Sequence, residues 1–365
     1  MERFDWRRER EKYRNIQPAA DVPEKENTIP EKKEKRSFFK TGIAAAVILL
    51  AVIVAAGMFL FRTNDSTEQL SEVADRYKSA VGLVTLTVEW KDGKNIQDAL
   101  GTAWAFSENG FATNAHVAHG LNLYLDRRIT VRVTEILAEE AEKQNFKNVE
   151  EYMKSLGNEA NAKIRKTRLQ VIDMIKDIHA DIIINGTRKK SYSVTHIQIH
   201  RDYGVAGKNT VPDIAVLTIQ GTHDNCFKLA DQKTLGRLKS GVPIAFLGFP
   251  MENLEYDNVN IENPVASMQS GIVVAVSDFE MKDAGSSGNF LLRHNLPATG
   301  GASGSPIFNQ KGEVLALLFS GNVIGQINHG KVERAPSAAM INFGVRVDLL
   351  SGMGKAVPLN EFLTM

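Results

Sequence analysis

The chain has 365 residues, with 44 Lys+Arg against 43 Asp+Glu and a formal net charge of +1. That balance excludes the basic excess of a dedicated nucleic-acid binder; 43% hydrophobic and 24% charged residues exclude wholesale disorder. A single cysteine, Cys226, excludes an internal disulfide and a cysteine-rich zinc site.

In chain order, residues 1–40 are charged, dotted with proline and without apolar periodicity, which predicts a disordered tail. Gly42 to Phe61 then runs 20 residues without a charge. As a helix this run spans about 30 Å, the hydrocarbon thickness of a bilayer. A cleaved signal peptide fits less well: the run is too long, the charged segment before it is too long, and no A-x-A site follows. The expectation is an uncleaved transmembrane helix over 41–61. Residues 22–41 hold six Lys/Arg and residues 62–81 hold three (Arg62, Arg76, Lys78). The positive-inside rule therefore predicts a cytoplasmic N-terminus in a cell (inner) membrane and a periplasmic or otherwise extracytoplasmic remainder.

Residues 62–80 predict a juxtamembrane linker and short amphipathic helix. Beyond them the pattern is strand-like. AVGLVTLTVEW (80–90), GTAWAF (101–106) and FATNAHV (111–117) lead the series. Further short strands are expected at 182–186, 192–200, 214–219, 243–249, 271–276, 289–295, 305–309 and 313–320. Many short strands between Gly-rich turns predict a mainly β barrel or sandwich. One stretch differs. Thr134 to Ile178 is rich in Glu, Lys and Ala, and Ile164, Val171, Ile175 and Ile178 recur at helical spacing. With Gly157-Asn158 as a break, it predicts an inserted α-helical hairpin over about 134–178.

Three segments carry chemistry together: Thr113-Asn114-Ala115-His116-Val117, Pro212-Asp213-Ile214-Ala215-Val216-Leu217, and Thr299-Gly300-Gly301-Ala302-Ser303-Gly304-Ser305-Pro306. A serine hydroxyl is a poor nucleophile until a neutral imidazole takes its proton, and a carboxylate must hold that imidazole in the right tautomer. Glycines around the serine let backbone N–H groups converge on a developing oxyanion. The candidates are His116, Asp213 and Ser303, with the amides of Gly301 and Ser303 as the oxyanion hole.

These segments resemble the trypsin/chymotrypsin-like serine peptidases in their disulfide-free bacterial branch, the HtrA-type and glutamyl endopeptidase-type catalytic domains. Gly101-Thr102, Leu247-Gly248-Phe249-Pro250 and Ser270-Gly271-Ile272-Val273 add to the resemblance, which covers about Val81 to Leu350. Ser305 stands where Gly is more usual, as in the glutamyl endopeptidases. The resemblance implies two six-stranded antiparallel β-barrels over 81–352 with the triad in the cleft between them. It also implies peptide or protein substrates and no cofactor. No PDZ-like module follows, and 353–365 reads as a C-terminal tail.

In the glutamyl endopeptidases a hydroxyl residue five before the nucleophile and a histidine fifteen after it bind the substrate carboxylate. Those places are Ala298 and Leu318 here, so an apolar P1 residue is expected. Phe319, Ser320 and Gly321 are expected to pair with the substrate strand, and His294 is a residue that could also reach the pocket. Lys282 to Asn289 matches a region where HtrA-type enzymes carry a loop that orders the oxyanion hole; as a bare sequence it is also a flexible hairpin tip. His119 and His294 have no convergent third ligand, so no metal is expected. The rival expectation is a catalytically silent or partner-activated protease fold serving as a binding or signalling module. The sequence leaves the oligomeric state open.

Overall fold

The computed structural model describes residues 66–186, 190–205, 212–251, 260–321, 323–328, 331–336 and 341–364. The charged segment 1–40 and the apolar run Gly42–Phe61 lie outside the described residues. The chain divides into units Met1–Asn64 and Asp65–Met365, and only the second is described below. Among the described residues no helix is long and apolar enough to cross a membrane.

Helix α1 (Ser66–Tyr77) opens this unit and buries Leu70, Val73, Ala74 and Tyr77, spaced three and four apart on one face. Strands β1 (Val81–Trp90), β2 (Asn95–Ala105) and β3 (Gly110–Thr113) follow as antiparallel neighbours. The chain then turns into helices α2 (Ala115–Lys143), α3 (Val149–Ser155) and α4 (Ala160–Asp173). It returns as β4 (Ile175–Ile184), β5 (Ser191–Ile199) and β6 (Ala215–Ile219). The order is β5-β4-β1-β2-β3-β6, and β6 pairs back onto β5. Closure leaves these six strands no free edge.

The second half repeats the solution. After β7 (Lys228–Leu229) and the single turn α5 (Gln232–Leu235) come β8 (Pro243–Gly248), β9 (Ser267–Ser277), β10 (Leu291–His294), β11 (Pro306–Phe308) and β12 (Glu313–Ser320). A separate hairpin, β13 (Val323–Asn328) and β14 (Lys331–Pro336), precedes β15 (Asn342–Arg346). The order β11-β8-β9-β10-β15-β12 closes through β11–β12 into a second six-stranded barrel. The protein is thus mainly β, built of two closed antiparallel barrels with an inserted helical segment. Residues 353–365, read from sequence as a tail, include β16 (Val357–Pro358), paired with β5, and α6 (Leu359–Phe362), which buries Phe362. The Asn122 side-chain amide of α2 donates to the Phe362 carbonyl at 2.9 Å.

The helical insertion differs from its expected bounds at both ends. It begins at Ala115, not near 134, because Val117, Leu121, Leu125, Ile129, Val133 and Leu137 form one buried stripe along α2. It ends at Asp173, because Ile175–Ile178 pair with Val88–Trp90 as the first residues of β4. His116, expected at a strand end, sits in the first turn of α2. Over its 29 residues α2 is about 43 Å long. Arg128 pairs with Asp98 of β2, and Arg132 with Asp92 in the β1–β2 turn. The helix therefore runs from the site alongside the first barrel to that turn, and α3 and α4 pack against it.

This geometry separates a core part of the insertion from a dispensable one. Replacing residues 138–162 by a short Gly/Ser linker is expected to keep the barrel fold and a cooperative melt. Leu121→Ala, deep in the barrel contact, is expected to cost about 2–5 kcal/mol. Thermal and denaturant melts followed by circular dichroism check both; unfolding on loss of 138–162 would make the distal hairpin part of the core.

Candidate active site

The site begins where β3 gives way to α2. Asn114 has extended backbone at the helix N-cap, yet its side chain makes no capping bond. Its amide instead donates to the Asp213 main-chain carbonyl at 2.8 Å. The first N–H groups of a helix need outside acceptors, and the Asp213 carboxylate supplies one: Oδ1 accepts the His116 backbone N–H at 2.9 Å. Oδ2 lies 2.6 Å from His116 Nδ1. A carboxylate only accepts, so Nδ1 carries a proton, and in the neutral ring Nε2 is left as an acceptor. Asp213 is nearly buried (7% side-chain exposure) while His116 stays 41% exposed. The carboxylate is thus shielded and the imidazole is open to an incoming group.

Ser303 lies in a turn of the second half that docks on β2. The Thr102 N–H donates to the Ser303 carbonyl at 2.9 Å. Gly101, next to Thr102, has room for no side chain: a Cβ would stand 2.9 Å from Val117 Cγ2 and 3.1 Å from the Ser303 carbonyl oxygen. The Ser303 turn is therefore brought against Val117, the residue after His116. Gly301 (φ +82°) and Gly304 (φ +88°) hold the turn in left-handed backbone. A Cβ on Gly304 would lie 2.1 Å from the Thr102 carbonyl, and one on Gly301 would lie 2.4 Å from the Phe249 carbonyl. Among the described residues, neither the Gly301 nor the Ser303 N–H donates to another main-chain carbonyl.

The remaining expected site residues divide. Gly321 faces Ala298, whose carbonyl would be 3.3 Å from a Cβ there, and Asn342 Oδ1 would be 3.6 Å away. Leu318 is buried in the core of the second barrel, and Phe319 is partly buried beside it. Ser320 ends β12. Sequence reasoning missed Asn342; its signal was an uncharged polar residue within the otherwise apolar start of INFGVRV, and its side-chain amide donates to the Leu296 carbonyl at 2.6 Å. His294 pairs with Asn342 across β10 and β15 and is fully buried. His119 stacks between Tyr203 and Phe362 at ring separations of 5.7 and 5.6 Å. Burial, with Asp213 second, raises the Tyr203 phenol. Burial likewise raises the Cys226 thiol, which lies away from the site beside the His223 carbonyl. Among the described residues no three His, Cys, Asp or Glu side chains converge to hold a metal.

The segment 278–290 is tied down. Asp283 Oδ1 accepts from the Gly285 N–H and the Asn289 amide, which lowers its carboxyl below the usual range, Asn289 being the larger cause. The buried Arg346 guanidinium donates to the Ser286 and Asn289 carbonyls and pairs with Asp348.

The trypsin-like peptidase domain family matches residues 101–317, more than half of the chain, and the chain belongs to that family. No curated protein matches it. Among solved structures it is similar to an HtrA-type protease, AlgW with decapeptide, at 11% identity and a TM-score of 0.41, over 77% of this chain and 64% of that one. It is also similar to the active form of the Rv3671c protease from M. tuberculosis, at 12% identity and a TM-score of 0.38, over 77% and 81% of the two chains. The chain thus spans less than two thirds of the length of the first of these.

Buried His294 makes the second barrel acid-sensitive. Burial pushes its pKa down to about 4, and the nearby Phe343 and Leu296 main chain offsets only part of that cost, since neither ring nitrogen makes a well-formed hydrogen bond. The unfolded chain binds this proton near pH 6.5, so the stability is fully present above that value and is lost as pH falls from about 6.5 to about 4. The loss is on the order of 3 kcal/mol. Denaturant melts from pH 7 to pH 4 are expected to show a shallower decline for His294→Gln than for the parent; identical slopes would contradict this assignment.

Proposed function

We propose that the chain is a membrane-anchored serine endopeptidase that hydrolyses peptide bonds outside the cytoplasm through Ser303, His116 and Asp213. The observation that carries this reading is the two-point hold of Asp213 on His116, with a Gly-flanked serine turn docked one residue from that histidine. A proton on Nδ1 leaves Nε2 to take the Ser303 proton as Oγ attacks the scissile carbonyl. Asp213 stabilises the imidazolium that forms, and the ring then passes the proton to the leaving amine. The Gly301 and Ser303 N–H groups, which donate to no main-chain carbonyl among the described residues, are suited to receive the oxyanion. No cofactor enters these steps. Family membership supports a peptidase; the assignment to an HtrA-like or glutamyl endopeptidase-like branch rests on the sequence motifs alone.

The P1 residue is proposed to be small or medium and uncharged. Ala298 and Gly321, which stand against one another, carry no side-chain charge. An acidic P1 side chain held there would lose water without gaining a charged partner, a cost of several kcal/mol. An apolar one gains roughly 1.5–3 kcal/mol on burial. Cleavage-site profiling of a peptide library with the parent beside Ser303→Ala and His116→Ala tests both claims. Each substitution is expected to lower kcat by on the order of 10⁶, with parent cleavage dominated by Ala, Val or Leu at P1. Turnover by Ser303→Ala would move the nucleophile elsewhere, and dominant cleavage after Glu, Lys or Arg would overturn the pocket reading.

Membrane anchoring is proposed from the uncharged run Gly42–Phe61 and the Lys/Arg asymmetry around it. A reporter fused after Met365 is expected to be active only in an extracytoplasmic compartment, with the protein retained in membranes after carbonate washing. Cytoplasmic reporter activity or carbonate release would contradict the topology.

A further inference from the structure

The oxyanion donors of the proposed peptidase belong to a loop of the second half, yet a first-barrel side chain holds the peptide plane between them through the Gly301 carbonyl. Thr102 of β2 is fully buried. Its hydroxyl donates to the Gly301 carbonyl at 2.9 Å and accepts the Phe249 N–H at 3.0 Å. Its own N–H donates to the Ser303 carbonyl at 2.9 Å, and its carbonyl accepts the Thr113 hydroxyl at 2.8 Å. Every polar group of this residue therefore has a partner.

The consequence lies in the peptide planes around Gly301. The plane joining Gly300 to Gly301 is held through its carbonyl, which accepts the Met251 N–H at 2.7 Å. A trans peptide points its N–H opposite its carbonyl, so this bond turns the Gly301 N–H away from Met251. The next plane, from Gly301 to Ala302, is held through its carbonyl by the Thr102 hydroxyl. Gly301 is the pivot between them, in left-handed backbone at φ +82°, and a glycine left unpinned has many other conformations open to it. We infer that Thr102 is a positioning residue: its hydroxyl clamps the Gly301 pivot, and so the aim of the oxyanion donors, to the barrel that carries His116 and Asp213. This inference rests on the serine peptidase reading of the site. It also gives the hydroxyl at Gly101-Thr102 a role that its place in the sequence does not suggest, because Thr102 is fully buried and lies outside the proposed triad.

The test compares Thr102→Val, which keeps the shape and removes the hydroxyl, with Thr102→Ser, which keeps the hydroxyl. Thr102→Ala removes the same group without adding a methyl and serves where the valine form does not fold. In the full-length chain, loss of the hydroxyl is expected to lower kcat by about 10²–10³, the scale of a lost oxyanion donor, with KM within a few-fold of the parent. Thr102→Ser is expected to stay within a few-fold of the parent in both. Amide hydrogen exchange at Ala302 and Gly304, whose N–H groups donate to the Thr299 and Leu318 carbonyls, does not depend on turnover and is expected to accelerate in Thr102→Val and Thr102→Ala and to stay slow in Thr102→Ser. Unchanged kcat and unchanged exchange in folded Thr102→Val or Thr102→Ala would overturn the inference, as would a rise in KM at constant kcat. A parent chain without peptidase activity would count against the peptidase reading, and the exchange comparison would still decide the clamp.

Discussion

The Asp213 carboxylate carries more of this architecture than any other single group. It stands in for the missing N-cap of α2 by accepting the His116 N–H, and with its other oxygen it holds the His116 ring. A buried carboxylate needs donors, and a helix N-terminus offers both N–H groups and a favourable dipole. The two needs are met by one contact. It fixes where β3 ends, where α2 begins and how the imidazole is turned. Asn114, freed from capping, ties down the main chain of Asp213 in return. The long helix is therefore rooted in the site rather than hung on the barrel's surface, which is why its proximal half belongs to the core.

The second constraint is steric. The serine turn is hemmed in on several sides: a Cβ on Gly304 would meet the Thr102 carbonyl at 2.1 Å, one on Gly301 the Phe249 carbonyl at 2.4 Å, and one on Gly101 Val117 at 2.9 Å and the Ser303 carbonyl at 3.1 Å. Gly248 belongs to the same contact, since a Cβ there would fall 1.9 Å from Ser305 Oγ. Glycine at these positions lets two separately closed barrels share a narrow seam. The seam also explains Ser305 where a glycine is more usual in the family: its side chain occupies the space beside Gly248.

Much of this was legible in the sequence. The β-branched runs and Gly-rich turns predicted the strands, because strand formation follows local side-chain shape and alternation. Both barrels match the expectation drawn from the family resemblance. The start of α2 was misread because T-N-A-H-V is strand-like over five residues; only the four-residue ladder Val117, Leu121, Leu125, Ile129, Val133, Leu137 reveals the helix. Ile175 and Ile178 were misread the other way. They happen to continue a helical spacing, but pairing with β1 outweighs it. The cap supplied by Asp213 and the position of Asn342 facing Gly321 were not legible, since each depends on residues far apart in the chain meeting through barrel closure.

The central claim, that His116 and Asp213 activate Ser303 in particular, is tested most directly by locating a covalent adduct. The full-length chain is treated with a fluorophosphonate, digested and mapped by tandem mass spectrometry, beside Asp213→Asn, which keeps the shape but not the charge of the carboxylate. The account predicts one phosphonate, on Ser303, formed at least a hundredfold more slowly in Asp213→Asn, in line with the roughly 10⁴ drop in kcat for this change in a well-dissected triad. An adduct on another residue, or labelling of Ser303 at the same rate in both proteins, would contradict it.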